Sequence, residues 1–405
     1  MWAIRAARIY TSEEVIEDAG ILIDEGHVAQ IGHWHDLSVP STATLTDVRP
    51  HFIAPGFVDI HVHGAAGHDF MDGDDAAFEA ACRWHARGGT TSLLATTCAA
   101  PLGQLYEVLE KTRQWQAKSR ADLCHGARVL GAHVEGPFFN MHMRGCHLPE
   151  YIKNPSKADV TGLLESSGVI RHITLAPELD GALEAIERFS SAGISVAVAH
   201  SDADSDHIEA AIQRGLHHVT HLYNAMSFYH RRGPQRISGI VESALVNDNL
   251  SVELIADGLH VNETRLKLAV RSKGVSRICL VTDAMRSAGM PDGLYAFGPR
   301  HGKVAVLRDH TSTMPEGTGF ASSVIPMIRC VQVMVQQAGV SLQEALLMAS
   351  KNPAQVVGAR RKGTLRTGMD ADLVVLNEEL QVQLTVVEGE IAYSRCGEDV
   401  LHPCD

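Results

Sequence analysis

The stretch Pro55-Gly56-Phe57-Val58-Asp59-Ile60-His61-Val62-His63-Gly64 sets the reading of the whole chain. It is an apolar run of strand character, opened by a Pro-Gly turn signal and closed by a glycine. Side chains two apart on a strand share a face, so His61 and His63 point the same way. That spacing suits two imidazoles on one metal ion. Two histidines in an ordinary turn are the plain alternative. A strand that delivers ligands from its end calls for a fold that carries its chemistry at strand ends.

The sequence outward from this point has that form. Apolar runs at Phe52–Ile60, Thr90–Cys98, Ala127–Val134, His172–Ala176, Ile194–Ala199, His218–Thr220, Leu250–Ile255 and Ile278–Thr282 read as strands. Helix-like runs, such as Asp75–Arg87, Leu183–Ser190, Ser205–Arg214 and Glu263–Arg271, fall between several of them. This alternation predicts an α/β fold with a (β/α)₈ barrel, whose active sites lie at the C-terminal ends of the strands. An open doubly wound sheet is the rival, but no Gly-x-Gly-x-x-Gly turn follows the first strand. Both ends of the chain read instead as short strands: Ala3–Ile9, Val15–Asp24 and His27–Ile31, then Asp372–Leu376, Val382–Val387 and Glu390–Tyr393. We therefore expect a small β-sandwich domain built from both termini, residues 1–54 plus 357–405, around a barrel of residues 55–356.

Composition narrows the function. The 405 residues are 45% hydrophobic and 20% charged, as in a globular protein rather than a disordered one. Basic residues number 35 against 48 acidic, a net charge of −13, which speaks against nucleic-acid and anionic-membrane partners. An anionic ligand must then be met by a local positive patch. The eight cysteines are Cys82, Cys98, Cys124, Cys146, Cys279, Cys330, Cys396 and Cys404, and no two have zinc-ribbon spacing. Scattered cysteines in a long chain, no signal-peptide apolar region and no long apolar run predict a cytoplasmic protein with reduced thiols.

Other strand ends carry further donors. The third ends in His133-Val134-Glu135-Gly136-Pro137-Phe138, the fifth at His200, the sixth at His221 and the eighth at Asp283. Each has a plain reading alone: a surface Glu, a buried His bonded to backbone, an Asp capping the next helix. Four histidines and two carboxylates converging on one barrel mouth are a different matter. Neutral imidazoles with carboxylates fit one or two first-row divalent ions, zinc first, with Fe, Co or Mn as alternatives. The segment Tyr229–Arg236 holds three arginines, whose forked guanidinium groups match phosphate. A solvated basic loop is the plain reading of that run.

These residues resemble the amidohydrolase superfamily and, within it, the N-acetylglucosamine-6-phosphate deacetylase family. The matching segments are PGFVDIHVHG (55–64), HVEGPF (133–138), LAPE (175–178), HSDA (200–203), THLYNAM (220–226), ADGLHV (256–261), VTDAM (281–285) and MASKNPA (348–354), in the family's order. The resemblance implies hydrolysis of an acetamide by a metal-activated water. It implies that Glu135, His200 and His221 hold one ion, that His61 and His63 complete a second site bridged by Glu135, and that Asp283 is the catalytic acid/base, beside or on the metal. It implies sugar and phosphate contacts from His147, Asn224, Ala225, Arg232 and His260, a phosphorylated amino sugar as substrate, and a homodimer.

Two departures from the family bear on the sugar. Cys146 stands before His147 where the family usually has Ala. The run Phe320-Ala321-Ser322-Ser323 replaces a Leu-Ala/Ser-Gly-Ser run that touches the sugar. The N-acetylgalactosamine 6-phosphate epimer, another N-acyl substrate, and a non-catalytic scaffold are the competing readings. The intact set of donors argues against the last.

Overall fold

In the computed structural model, which describes residues 1–120 and 125–395, eight parallel strands form a nearly closed barrel. They are β1 (Phe57–Val62), β2 (Thr90–Thr96), β3 (Arg128–Glu135), β4 (Ile170–Leu175), β5 (Ser195–Val198), β6 (His218–Val219), β7 (Ser251–Ile255) and β8 (Ile278–Val281), paired in sequence order. Cys124, Cys396 and Cys404 lie outside the described residues, as does the end of the expected terminal domain. Just beyond the last strand, β8 and β1 are joined by Asp283 N–H to His61 C=O at 2.8 Å and His63 N–H to Ala284 C=O at 2.9 Å. All six residues of β1 are buried. That is the pattern of a parallel strand covered on both faces, its apolar run interrupted only by the buried Asp59 and His61.

The helices form where their apolar spacing lets one face dock. The helix Asp75–Arg87 is capped by Asp74, whose carboxylate accepts the Ala77 N–H, and it buries Ala77, Phe78, Ala81, Cys82, His85 and Ala86. It ends at Gly88-Gly89. Gly89 has φ +87°, and a side chain there would meet the Phe57 ring at 2.6 Å, so the tight return into β2 needs glycine.

The run Phe52–Ile60, expected as one strand, serves two sheets. Phe52–Pro55 pairs with Leu373–Leu376 and with the end of Trp2–Tyr10, whereas Phe57 starts the barrel. The pivot is Gly56, where a Cβ would lie 2.3 Å from the Thr91 side chain.

The chain ends form a separate eight-stranded sheet. Ile4, Ile21, Ile23, Leu373, Leu384 and Val386, drawn from both ends of the sequence, share one apolar cluster. The turns at Gly26 and Gly389 touch, drawing the two halves of the sheet together.

Two additions beside the barrel mouth escaped the sequence reading. A three-stranded sheet, Gly293–Ala296, Val304–Arg308 and Thr311–Thr313, follows β8. Its neighbours Phe297 and Met314 pack with Met285 and Met71. A short hairpin, His230–Arg232 with Gln235–Ile237, carries the arginine run.

Candidate active site

The barrel topology delivers the candidate donors to one place. Glu135 is the last residue of β3, His61 lies in β1 with His63 just beyond it, and His200, His221 and Asp283 each lie two residues past β5, β6 and β8. The turns there are tight enough to force left-handed backbone on ordinary residues: His200 has φ +50°, His221 +31°, Tyr223 +80°, Ala225 +48°, Asp283 +47° and Ser322 +68°. Such conformations persist only where neighbours enforce them, and they gather at functional sites. Here the enforcement is visible. The Asn140 N–H donates to the His200 carbonyl at 2.8 Å, and the His221 N–H donates to Glu253 Oε2 at 3.1 Å.

Glu135 is the centre of the cluster. Its Oε1 lies 3.2 Å from His200 Nε2, 3.3 Å from His221 Nε2 and 3.5 Å from His61 Nε2, and its Oε2 lies 3.3 Å from His63 Nε2. Asp283 Oδ1 lies 3.2 Å from His63 Nε2 and 3.5 Å from His61 Nε2. Two donor triads result, Glu135–His200–His221 and His61–His63–Asp283, all buried. Ligands about 2.0–2.1 Å from a tetrahedral ion stand about 3.3 Å from one another, so the spacing fits. The chemistry fits too. Among the described residues His61 Nε2 is buried without a hydrogen-bond partner, and the second ring nitrogens of His61 and His200 are occupied by Glu253 and by the Met143 carbonyl.

The electrostatics favour ionised carboxylates. Burial pushes the Glu135 carboxyl up, but His61, His147, His200 and His221 outweigh it and hold it well below the usual range. Burial also opposes ionisation of Asp283, and His61 with His63 overcomes it, lowering the group. Burial lowers His63 as well, yet Asp283 and Glu135 raise it to about 9. For His200 burial wins, and the imidazole falls to about 4.

A cavity of about 410 Å³ opens over the triads. It is lined by His63, Glu135, His200, His221 and Asp283, and by Cys146, His147, Asn224, Ala225, His260, Phe320 and Ser322 from the expected substrate contacts. His147 Nδ1 accepts the Ala99 N–H at 3.1 Å, so its proton sits on Nε2, which faces Glu135 Oε2 at 3.5 Å. His260 is held by Asp257 Oδ2 at 2.7 Å and packs on the Phe320 ring at 4.5 Å between centroids. The Ser322 hydroxyl lies against two acceptors of Asp283, its backbone carbonyl and, at 2.9 Å, its Oδ1. Cys146 lines the cavity half-buried, its Sγ 3.2 Å from Met314 Sδ, and burial pushes its thiol up to about 12.

Two expected contacts are placed elsewhere. Arg232 is on the exposed hairpin, its side chain 65% exposed and bonded to Asp204 Oδ2 at 3.0 Å, and it does not line the cavity. Ala321 is buried in the apolar cluster with Met285 and Phe297, one residue behind the lining. Sequence reasoning missed Tyr223, Phe297 and Gly319 in the lining and Glu253 beneath it. Glu253 had a signal: a lone carboxylate within the apolar strand β7.

The sequence pattern of the amidohydrolase family matches residues 52–392. The chain belongs to the amidohydrolase family. Its amidohydrolase relatives span nearly the full length. The N-acetylglucosamine-6-phosphate deacetylase of Bacillus subtilis is 35% identical, over 96% of each chain. The N-acetylgalactosamine-6-phosphate deacetylase of Escherichia coli is 33% identical, over 96% of this chain and 98% of that one. A variant of the N-acetyl-D-glucosamine-6-phosphate deacetylase of Mycobacterium smegmatis, solved in complex with N-acetyl-D-glucosamine-6-phosphate, superposes with a TM-score of 0.88 at 29% identity. That match covers 97% of this chain and 99% of that one.

Proposed function

We propose that this amidohydrolase removes the acetyl group from N-acetylglucosamine 6-phosphate, giving glucosamine 6-phosphate and acetate. The observation that carries the reading is the meeting of both donor triads on Glu135 at the floor of the cavity. Nearly full-length likeness to amino-sugar 6-phosphate deacetylases supports the substrate class.

Glu135, His200 and His221 would hold one divalent ion, and His61, His63 and Asp283, beside Glu135, a second; imidazoles with carboxylates suit zinc or another first-row divalent ion. An ion held there activates water and polarises the acetamide carbonyl. Asp283, ionised and facing the cavity, takes a proton on its carboxylate and returns it to the leaving nitrogen. The Ser322 hydroxyl beside Oδ1 keeps the carboxylate aimed. His147 offers its Nε2–H to an oxygen of the substrate, and His260, steadied by Asp257, faces the sugar phosphate. Phe320 covers the sugar ring beside it.

We assign the working form as a homodimer in the cytoplasm. Phe228 and Tyr229 are 39% and 46% exposed beside the arginine hairpin, and aromatic and arginine side chains are what interface cores favour. A partner's hairpin laid over the cavity would bring Arg232 to the phosphate. The free thiols Cys98, Cys146, Cys279 and Cys330 suit a reducing compartment. No helix among the described residues is long and apolar enough to cross a membrane.

The test is acetate release by the metal-loaded protein from N-acetylglucosamine 6-phosphate, its galacto epimer and the unphosphorylated sugar. Fast release from the gluco phosphate alone is expected. Faster release from the galacto epimer would transfer the assignment to that sugar, and none from any of the three would overturn it.

A further inference from the structure

The donor triads rest on a polar layer that this chemistry does not use. The interior of such a barrel is usually filled by branched aliphatic side chains. Here it holds His133, His172, His218 and Glu253, all fully buried. Glu253 is the hub. Its Oε2 accepts from His61 Nδ1 at 3.0 Å and from the His221 backbone N–H at 3.1 Å. Its Oε1 faces His218 Nε2 at 3.4 Å and His172 Nε2 at 3.7 Å. Serine hydroxyls turn those two rings, Ser251 at 2.6 Å from His218 Nδ1 and Ser195 at 2.8 Å from His172 Nδ1.

The partner of one imidazole nitrogen fixes the role of the other. A carboxylate only accepts, so a His61 bonded to it carries its proton on Nδ1. Its Nε2 is then a bare lone pair, and this is the atom that faces Glu135 and Asp283 and has no hydrogen-bond partner among the described residues. Ring orientation and tautomer are thus set from below, within the barrel core.

Resting on the reading of His61 as a metal ligand, we propose that Glu253 is a positioning residue that locks His61 in the Nδ1–H tautomer with Nε2 turned to the ion. Such outer partners typically change metal affinity 10- to 100-fold.

The experiment is zinc binding to the metal-stripped protein, read as equivalents retained against graded chelator, with thermal unfolding followed in parallel. Wild type should hold two ions. In Glu253→Leu the ion at His61 should weaken about 10- to 100-fold and the other, reached only through the His221 backbone N–H, distinctly less, and Glu253→Gln, whose amide oxygen still accepts, should recover most of the loss. In a His61→Asn background Glu253→Leu should add no more than the small loss it causes at the other ion, because its main effect runs through that ring. Unchanged affinity, weakening of the other ion as great as that at His61, or a further loss of about 10-fold or more in the His61→Asn background would overturn the proposal. So would a third equivalent removed by Glu253→Leu, which would make Glu253 a ligand. A wild type that binds no ion, or one that His61→Asn leaves in place, would overturn the reading of His61 itself and this proposal with it. If Glu253→Leu does not fold, nitrogen-15 spectra of histidine-labelled, zinc-loaded wild type decide. The resonance lost in His61→Asn should carry its proton on Nδ1, and a proton on Nε2 would refute the assignment.

Discussion

The two donor triads are made of the same side-chain types and lean on partly different supports. His200 and His221 stand on turns beyond their strands, and His200 is fixed from the loop side, by the Met143 carbonyl at 2.8 Å and by packing on Phe139 at 4.4 Å. His61 stands within β1 and is fixed from the core side, by Glu253. Glu135 belongs to both sets. His200 therefore inherits its geometry from a loop and His61 from the barrel interior, while the His221 backbone N–H also rests on Glu253 at 3.1 Å. Disturbing either support should be felt first in the triad that leans on it.

The largest effect belongs to the shared residue. Glu135→Gln should strip both ions and lower kcat by more than about 10³-fold, measured as metal content and turnover on one sample. Retention of either ion would mean that the triads do not depend on a common carboxylate. Asp283→Asn comes next: kcat should fall roughly 10²- to 10⁴-fold while the ion at Glu135, His200 and His221 stays. Near-normal turnover in that variant would remove Asp283 from the chemistry.

Acid should find the core-side triad through His85. Its ring is fully buried, bonds the Gly64 carbonyl at 3.2 Å just past His63, and is lowered by burial to about 4. The unfolded chain binds this proton near pH 6.5, the folded chain only near 4, so stability is lost as pH falls between those values. The full difference is roughly 3 kcal/mol. Unfolding of wild type against pH should therefore slope more steeply over that window than unfolding of His85→Gln, and parallel curves would exclude His85 as the cause. The smallest effect is expected outside both triads. Arg232→Ala should raise KM for the phosphorylated sugar about tenfold and leave kcat and the unphosphorylated sugar alone, as for one lost bond to a charged group. A change in metal content instead would tie the hairpin to the loop-side triad.

Much of this was legible because strand ends and chemistry coincide. The apolar runs mark the eight strands, and the polar residues that break them, Glu135, His200, His221 and Asp283, are the ones the barrel brings together. The limits were physical as well. Phe52–Ile60 looks like one strand because both sheets bury apolar residues, and only the contact of Gly56 with Thr91 divides it. The sheet after β8 is short and partly exposed, with Leu294 at 71%, so it lacks strong alternation. Arg232 depends on where a hairpin projects, which local pattern does not encode. The left-handed backbone at His200, His221 and Asp283 is imposed by contacts remote in sequence.

The pairing of Phe52–Pro55 with Leu373–Leu376 has a consequence for how the chain is made. During synthesis the first segment leaves the ribosome early, and its partner emerges only after the whole barrel. Until then the early strands present an unpaired edge, the kind of surface that recruits other chains. A message cut short before Leu373 would leave that edge open for good, and its product should collect in inclusion bodies even though every barrel strand had been translated.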